Sequence, residues 1–250
     1  MRIAPYLLFG LLALVACGET GRGVETAQAC QQIEHIGSPY TVCSYTRSET
    51  DIRLFHSDAD GTPYLQFDAL VEDLKAQDKT LVFAMNGGMY HEDRSPVGYY
   101  RDGSGDQASV NTNVGPGNFH MLPNGVFWLT SDAAGVTEST AYIEADIDTL
   151  FATQSGPMLV IEGALHPSFN PDGTSRKRRN GVGVSADGTQ VHFAISDTVV
   201  SFHDFATLFR DALDAENALF LDGQVSRLYA PDLQRNEAGV DMGPIVGVVE

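Results

Sequence analysis

Short apolar runs alternate with glycine-rich polar clusters along this chain, and no strand–helix unit repeats at a fixed period. Residues 81–85, 158–161 and 218–221 are continuously apolar, the pattern of strands buried on both faces. Further strands are expected at 40–45, 52–56, 125–129, 135–139, 182–185, 190–195 and 245–249. Asp187-Gly188 is a hairpin signal, and a turn containing Ser131 and Asp132 suggests a second hairpin. Two helices are expected. Phe67, Leu70, Val71 and Leu74 fall at i, i+3, i+4 and i+7 while Asp68, Glu72, Asp73 and Lys75 face away, so one stripe packs on a sheet. Phe205, Leu208, Phe209 and Leu213 share a second such face, with Asp204 suited to the first turn. A short helical segment is expected at 148–153. The sum predicts an α+β fold: a single domain with a mixed, largely antiparallel sheet and two or three packed helices. Residues 91–118 form a polar connection too long to be idle in a compact domain.

The first residues read differently. Arg2 is followed by a mostly apolar run, residues 3–16, which predicts a secretory signal too short to span a bilayer. Its end, Leu14-Val15-Ala16-Cys17, resembles a bacterial lipobox, which implies lipidation at Cys17; the alternative is an ordinary signal beside a stray cysteine. The expected organisation is a signal peptide at 1–16, a lipidated N-terminus and tether at 17–39, and a folded domain at 40–250. Giving Cys17 to lipid leaves Cys30 and Cys43 of the three cysteines. Export to an oxidising periplasm favours a structural disulfide between them, with a buried free pair as the alternative.

Charge narrows the partners. Asp and Glu number 33 against 15 Lys and Arg, a net charge of −18, which argues against nucleic acid and against electrostatic attraction to anionic lipid. Any membrane link is then through the lipid anchor only.

Chemistry concentrates where apolar runs meet glycine. The clusters are Asn86-Gly87-Gly88-Met89-Tyr90, Gln154-Ser155-Gly156-Pro157, Arg179-Asn180-Gly181-Val182-Gly183 and Leu221-Asp222-Gly223. Asp222 is either a partly desolvated catalytic carboxylate or a turn-capping aspartate. Arg179 ends the basic run Arg176-Lys177-Arg178-Arg179; as a guanidinium beside a buried strand it suits bidentate phosphate binding, and the other three read as surface residues. Asn86, with Gly87 and Gly88, offers an amide and backbone donors for a sugar hydroxyl or an anion, or else only a tight turn. Gln154 and Ser155 before Gly156 carry the same two readings, and Ser155 lies in no nucleophile-elbow pattern. His91-Glu92-Asp93 and His120 lack metal-ligand spacing, and neither a Walker loop nor a dinucleotide fingerprint is present, so no metal or cofactor is expected.

In this order the four clusters resemble the phosphodiester glycosidase family, the domain of the lysosomal uncovering enzyme that removes N-acetylglucosamine from a phosphodiester. Pro96-Val97-Gly98, Gly117-Asn118-Phe119 and Pro123-Asn124-Gly125-Val126-Phe127 are similar to a bacterial branch formerly of unknown function. The resemblance covers about residues 40–249. It implies hydrolysis of a sugar-1-phosphodiester, with Asn86, Arg179 and Asp222 at matching positions as polar site residues. A phosphodiester leaving group needs little protonation, so Asp222 near the anomeric carbon and Arg179 near the phosphate are the expected catalytic residues, and Asn86, Gly87, Gly88, Gln154, Ser155, Gly156, Asn180, Gly223 and Ser226 are expected to bind substrate. One departure is visible: where the uncovering enzyme's pattern continues from the Asp-Gly through glycines to a serine, Gln224 and Val225 here precede Ser226. Together with the signal, this predicts a lipid-anchored periplasmic enzyme acting on a glycosyl phosphodiester or envelope glycan. The competing readings are a noncatalytic envelope glycan-binding lipoprotein and a metal phosphodiesterase using His91, Glu92 or His120.

Overall fold

The computed structural model describes Met1, residues 29–223 and residues 225–250. The signal run, Cys17 and Gln224 lie outside the described residues.

Among the described residues the fold is α+β, with three antiparallel sheets around a shared core. The largest sheet runs, in spatial order, through Cys30–His35, Ser38–Thr46, Gln190–Ser196, Asn180–Val184, Asn217–Asp222, Met158–Ile161 and Ala164–Leu165. A second holds Arg235–Asn236, Leu228–Ala230, Leu81–Asn86, Ile245–Val249 and Asp51–Phe55. The third holds Gly105–Ala108, Tyr100–Asp102, Phe151–Ser155, Gly125–Leu129 and Ala134–Glu138. Their inner faces meet in one aromatic cluster: Phe193 of the first sheet has its ring 5.0 Å from that of Phe83 in the second and 5.9 Å from that of Phe127 in the third.

One helix backs each outer face. Phe67–Ala76 buries Phe67, Leu70 and Leu74 against Leu81, Ala84, Ile245 and Val249. Each such side chain contributes about 1.5–3 kcal/mol by leaving water. Phe202–Thr207, with Ser201 accepting from Asp204 N, continues into a π-helical turn at Leu208–Ala212 and packs Phe205 and Phe209 on Val42, Leu159 and Phe220. Ser139–Ala145 lays Tyr142 against Val126 and Ala152.

Two expectations need correction. The short helix lies at Ser139–Ala145 rather than 148–153, because the Glu138 carboxylate caps the N–H groups of Thr140 and Ala141, while Phe151–Ser155 pairs as a strand between Tyr100–Asp102 and Gly125–Leu129. The strands expected at 40–45 and 52–56 both form, and the 3₁₀ turn Arg47–Glu49 carries the chain from the first sheet into the second. Buried Arg47 holds that corner by donating to the carbonyls of Thr50 and Thr130. Regular structure also begins before Tyr40, since Cys30–His35 pairs along Ser38–Thr46 and a disulfide joins Cys30 to Cys43, its register partner.

The disulfide spans a sequence separation of 13 residues. A loop of that size restricts the unfolded chain by about 3 kcal/mol. Chemical denaturation of the Cys30→Ser, Cys43→Ser double variant is expected to show a loss of that size, equal to the effect of reductant on the wild type.

Candidate active site

Strand ends from the first two sheets meet in a web of polar side chains. Asn86 closes Leu81–Asn86, Asn180 opens Asn180–Val184, and Asp222 closes Asn217–Asp222. Asn180 faces Asp222 across the ladder, but the next residue, Gly181, pairs with Phe220. This shift is a bulge, the device by which a sheet edge redirects a side chain. The Asn86 amide is wholly buried: Oδ1 accepts from Arg227 N at 2.8 Å, which leaves Nδ2 turned to Asp222 Oδ2 at 3.4 Å. Asp222 Oδ1 accepts from the backbone N–H of Gly223 at 2.5 Å. Asn180 Nδ2 donates to the Asn86 carbonyl at 2.9 Å, and Ser226 Oγ donates to the Asp222 carbonyl at 3.0 Å. Asn86, Asn180 and Ser226 therefore orient the strand end that carries the carboxylate.

Gly87 has a packing reason. A Cβ there would sit 2.8 Å from the carbonyl carbon of Ile245 and 2.9 Å from Val246 N, both backbone atoms that cannot yield. Its carbonyl accepts from Thr153 Oγ1 at 2.8 Å, tying the third sheet to the second beside Asn86.

The basic run divides by period two, as an extended chain requires. Lys177 forms an isolated antiparallel bridge with Val200. Arg176 turns away to Asp204 at 3.2 Å, and Arg178 to Glu237 at 2.8 Å. The alternate residues Ser175, Lys177 and Arg179 line a cavity of about 380 Å³ with Asp222, Gly223, Met89 and Asn118. Arg179 is only 1% exposed, its guanidinium stacked 3.6 Å over the Phe202 ring and bonded through Nε to the Val200 carbonyl and through Nη2 to the Ser175 carbonyl. Its remaining donors have no partner among the described residues, and it borders the cavity. Burial pushes this guanidinium down to about 10, which leaves it fully charged at neutral pH. A carboxylate and two cationic side chains thus border one small cavity.

Not every expected residue faces it. Gln154 is held within the protein: Oε1 accepts from the N–H groups of Tyr99 and Asn111, and Nε2 donates to the Asn111 carbonyl and to Ser139 Oγ. Ser155 Oγ donates to the Leu221 carbonyl, tying the third sheet to the strand that ends in Asp222. Gly156 packs against Asn124 and the Phe119 carbonyl. Lys177 is exposed, in line with its expected place at the surface, and it also borders the cavity with Arg179. Its spacing of two from Arg179 was the available signal; an irregular stretch with two prolines hid the extended geometry. Met89 lies within the first glycine cluster and Asn118 within Gly117-Asn118-Phe119, but neither stands out in sequence as a site residue. Among the described residues no group of three His, Cys, Asp or Glu side chains converges as a metal site, and His120 Nδ1 bonds the Asn113 carbonyl.

A family model described as phosphodiester glycosidase matches residues 79–241. The chain belongs to the phosphodiester glycosidase family. It is 35% identical over 191 residues to YigE, an uncharacterized protein of Escherichia coli K12, covering 76% of this chain and 74% of that one. Among solved structures it is similar to the catalytic domain of zebrafish N-acetylglucosamine-1-phosphodiester alpha-N-acetylglucosaminidase, auto-inhibited by its pro-peptide, with a TM-score of 0.59, 11% identity, and coverage of 88% of this chain and 81% of that one. A hypothetical protein from Synechocystis has a TM-score of 0.54 at 15% identity, covering 88% of this chain and 61% of that chain. Both structural likenesses concern the fold. The family is one of glycosidase-type hydrolases, and its matched segment holds all four glycine clusters.

The salt bridge behind the basic run is testable by pH. Burial pushes the Glu237 carboxyl up, but hydrogen bonds from Arg178 and Arg235 outweigh it and hold it below its ordinary 4.5. An acid depressed in the folded state adds stability above its unfolded value and loses it as pH falls through the folded value. Glu237→Gln is therefore expected to lower stability at pH 7 by about 1–2 kcal/mol, a size limited by solvent screening of the partly exposed pairs. Urea melts from pH 7 down to pH 3 should show a shallower acid loss in the variant than in the wild type.

Proposed function

We propose that this protein hydrolyses the bond between the anomeric carbon of a sugar and a phosphodiester, in the bacterial cell envelope, from a lipid anchor at Cys17. The observation that carries the reading is the cavity bordered by Asp222, Arg179 and Lys177. Family membership supports it, and the lipobox-like segment Leu14-Val15-Ala16-Cys17 supports the anchor.

The reaction suits this inventory. Cleaving a glycosyl phosphate breaks the bond from the anomeric carbon to the ester oxygen, and a water oxygen replaces the phosphate. Ordinary glycosidases position two carboxyl groups, one of them to protonate a basic leaving group. A phosphodiester leaves as a stable anion and needs little protonation. One carboxylate at the anomeric carbon is then sufficient, with fixed positive charge where the departing oxygens gain negative charge. In this assignment Asp222 serves the anomeric centre, as nucleophile or as base toward water. Arg179 receives phosphate oxygens through its unengaged N–H groups, and Lys177 adds a second charge from the same wall. Asn86, Asn180 and Ser226 are positioning residues for Asp222, and Gln154 and Ser155 position the surrounding strands and loop. The chain carries a net charge of −18, so the Lys177–Arg179 wall also favours docking of a phosphodiester at this cavity.

A panel of sugar-1-phosphodiesters tests the reaction. Asp222→Asn is expected to lower kcat by roughly 10²–10⁴-fold with the fold intact by circular dichroism. Arg179→Lys is expected to lower kcat by roughly 10²-fold, because a point charge cannot reproduce the guanidinium geometry. Near wild-type turnover in a folded Asp222→Asn variant removes the carboxylate from the mechanism. Saturable binding without product across the panel assigns the cavity to a noncatalytic glycan-binding lipoprotein. The anchor is tested separately: Cys17→Ala is expected to move the protein from the membrane pellet to the soluble periplasmic fraction, and continued pelleting overturns lipidation.

A further inference from the structure

Arg227 is a buried guanidinium with no ion pair among the described residues. It is 5% exposed; Nη1 donates to a neutral group, Gln66 Oε1, at 2.8 Å, while Nε and Nη2 are buried with no hydrogen-bond partner. Its side chain points away from the central core. Leu228 and Ala230 enter that core and Tyr229 packs under the helix Phe67–Ala76, so Arg227, two residues before Tyr229, shares the helix side. Gln66 is the N-cap residue of that helix, and Gly239 covers the guanidinium, since a Cβ there would lie 3.7 Å from Arg227 Nη1.

Nothing local explains this charge. Four groups lie close enough to act on it: Tyr90, Asp241, Glu237 and Asp222. The first three are engaged elsewhere. The Tyr90 hydroxyl donates to the Asp241 carbonyl, with Arg94 over the Tyr90 ring at 5.4 Å. Asp241 Oδ1 accepts from Gln66 Nε2, and Glu237 accepts from Arg178, Arg235 and Leu228 N. Burial pushes the guanidinium below its ordinary value against the pull of these neighbours. A helix N-terminus is the positive end of its dipole, so a cation gains nothing from it. Taking an unpaired charge out of water is costly, and an apolar side chain of similar length would serve packing better.

The charge does have a use at Asp222. Arg227 N donates to Asn86 Oδ1 at 2.8 Å, which leaves Asn86 Nδ2 turned to Asp222 Oδ2 at 3.4 Å, so the two residues flank one amide. Asp222 is only 9% exposed, and burial favours the neutral carboxylic acid unless positive charge lies near. On the cavity side Lys177 and Arg179 supply such charge. A bound phosphodiester brings its own negative charge to those two side chains and offsets their effect on the carboxylate. Arg227 is not among the residues that border the cavity, so its charge persists when substrate is bound.

We propose that Arg227 is a positioning residue for the hydrolysis proposed above, a fixed positive charge behind the site that keeps Asp222 a carboxylate while the substrate's phosphate occupies Lys177 and Arg179. The role in turnover rests on that reaction, but the effect on Asp222 does not. The charged and titratable groups around Asp222 are then Lys177 and Arg179 on the cavity side and Tyr90, Arg227, Glu237 and Asp241 behind it, with Arg94 beyond Tyr90.

The test is the carboxyl titration of Asp222 by ¹³C NMR in the aspartate-labelled Cys17→Ala full chain, its signal identified by loss in Asp222→Asn. The titration runs from pH 7 to pH 3 with and without saturating inorganic sulfate, an oxyanion that keeps its charge over this range. In sulfate the midpoint of Arg227→Met is expected to lie above that of the wild type by about one pH unit, the size of a unit charge acting across a protein interior, with a smaller gap in its absence. Arg227→Lys should restore the wild-type midpoint. Arg227→Met should melt at or above the wild-type Tm, because it removes an unpaired buried charge. With a sugar-1-phosphodiester, the acid limb of kcat, which reports the substrate complex, should move up further than that of kcat/KM, which reports the free enzyme. Coincident midpoints of wild type and Arg227→Met in sulfate overturn the proposal, as does an Arg227→Lys variant that titrates like Arg227→Met. Should Arg227→Met fail to fold, Arg227→Gln is read in the same way. A displaced midpoint without hydrolysis of any phosphodiester leaves the effect on Asp222 standing and removes only the reaction.

Discussion

Three sheets that share one core must bring their strand ends together, and the polar groups at that junction have to be satisfied without water. This constraint shapes the site. Asn180 of the first sheet donates to the Asn86 carbonyl of the second, Thr153 of the third to the Gly87 carbonyl of the second, and Ser155 of the third to the Leu221 carbonyl of the first. Each bond runs from a side chain of one sheet to the backbone of another. An unmade buried hydrogen bond costs about 1–3 kcal/mol, so the junction enforces these residue types and their angles. Asp222 stands at this junction, with its orientation inherited from the surrounding web.

The cation wall follows from a different principle. The strand-like segment before Asn180 presents alternate residues to opposite sides, so a run of four basic residues becomes two pairs with distinct tasks. Arg176 and Arg178 hold the segment through Asp204 and Glu237, and Lys177 and Arg179 keep their charge at the cavity. Stacking of Arg179 on Phe202 lets a guanidinium remain charged in a buried position. The aromatic helix on the outer face of the first sheet therefore reaches into the site.

Much of the fold was legible because its elements are locally consistent. The 3.6-residue stripe of Phe67, Leu70 and Leu74 and the apolar run before Asn86 each have one good solution. The segment 148–153 was misread because its pattern suits either element, and the cap that decides, Glu138, lies outside it. The strands on either side of Arg47 are separated in sequence only by a short polar turn. Which sheet each joins depends on strands more than a hundred residues away in the chain.

Sequence alone determined the α+β class and the family resemblance, and it drew attention to Asp222 and Arg179, since a carboxylate or guanidinium at the edge of an apolar run is chemically conspicuous wherever it folds. Tertiary structure alone decided what the amides do. Asn86, Asn180 and Gln154 read as ligand-binding groups because an amide serves a hydroxyl and a backbone equally well, and only the positions of other strands show that the backbone has claimed them. It also decided that Lys177 belongs with Arg179 while Arg178 does not. Alternation is a property of the extended chain, and the bridge to Val200 that makes this segment extended is a contact made only in the folded protein.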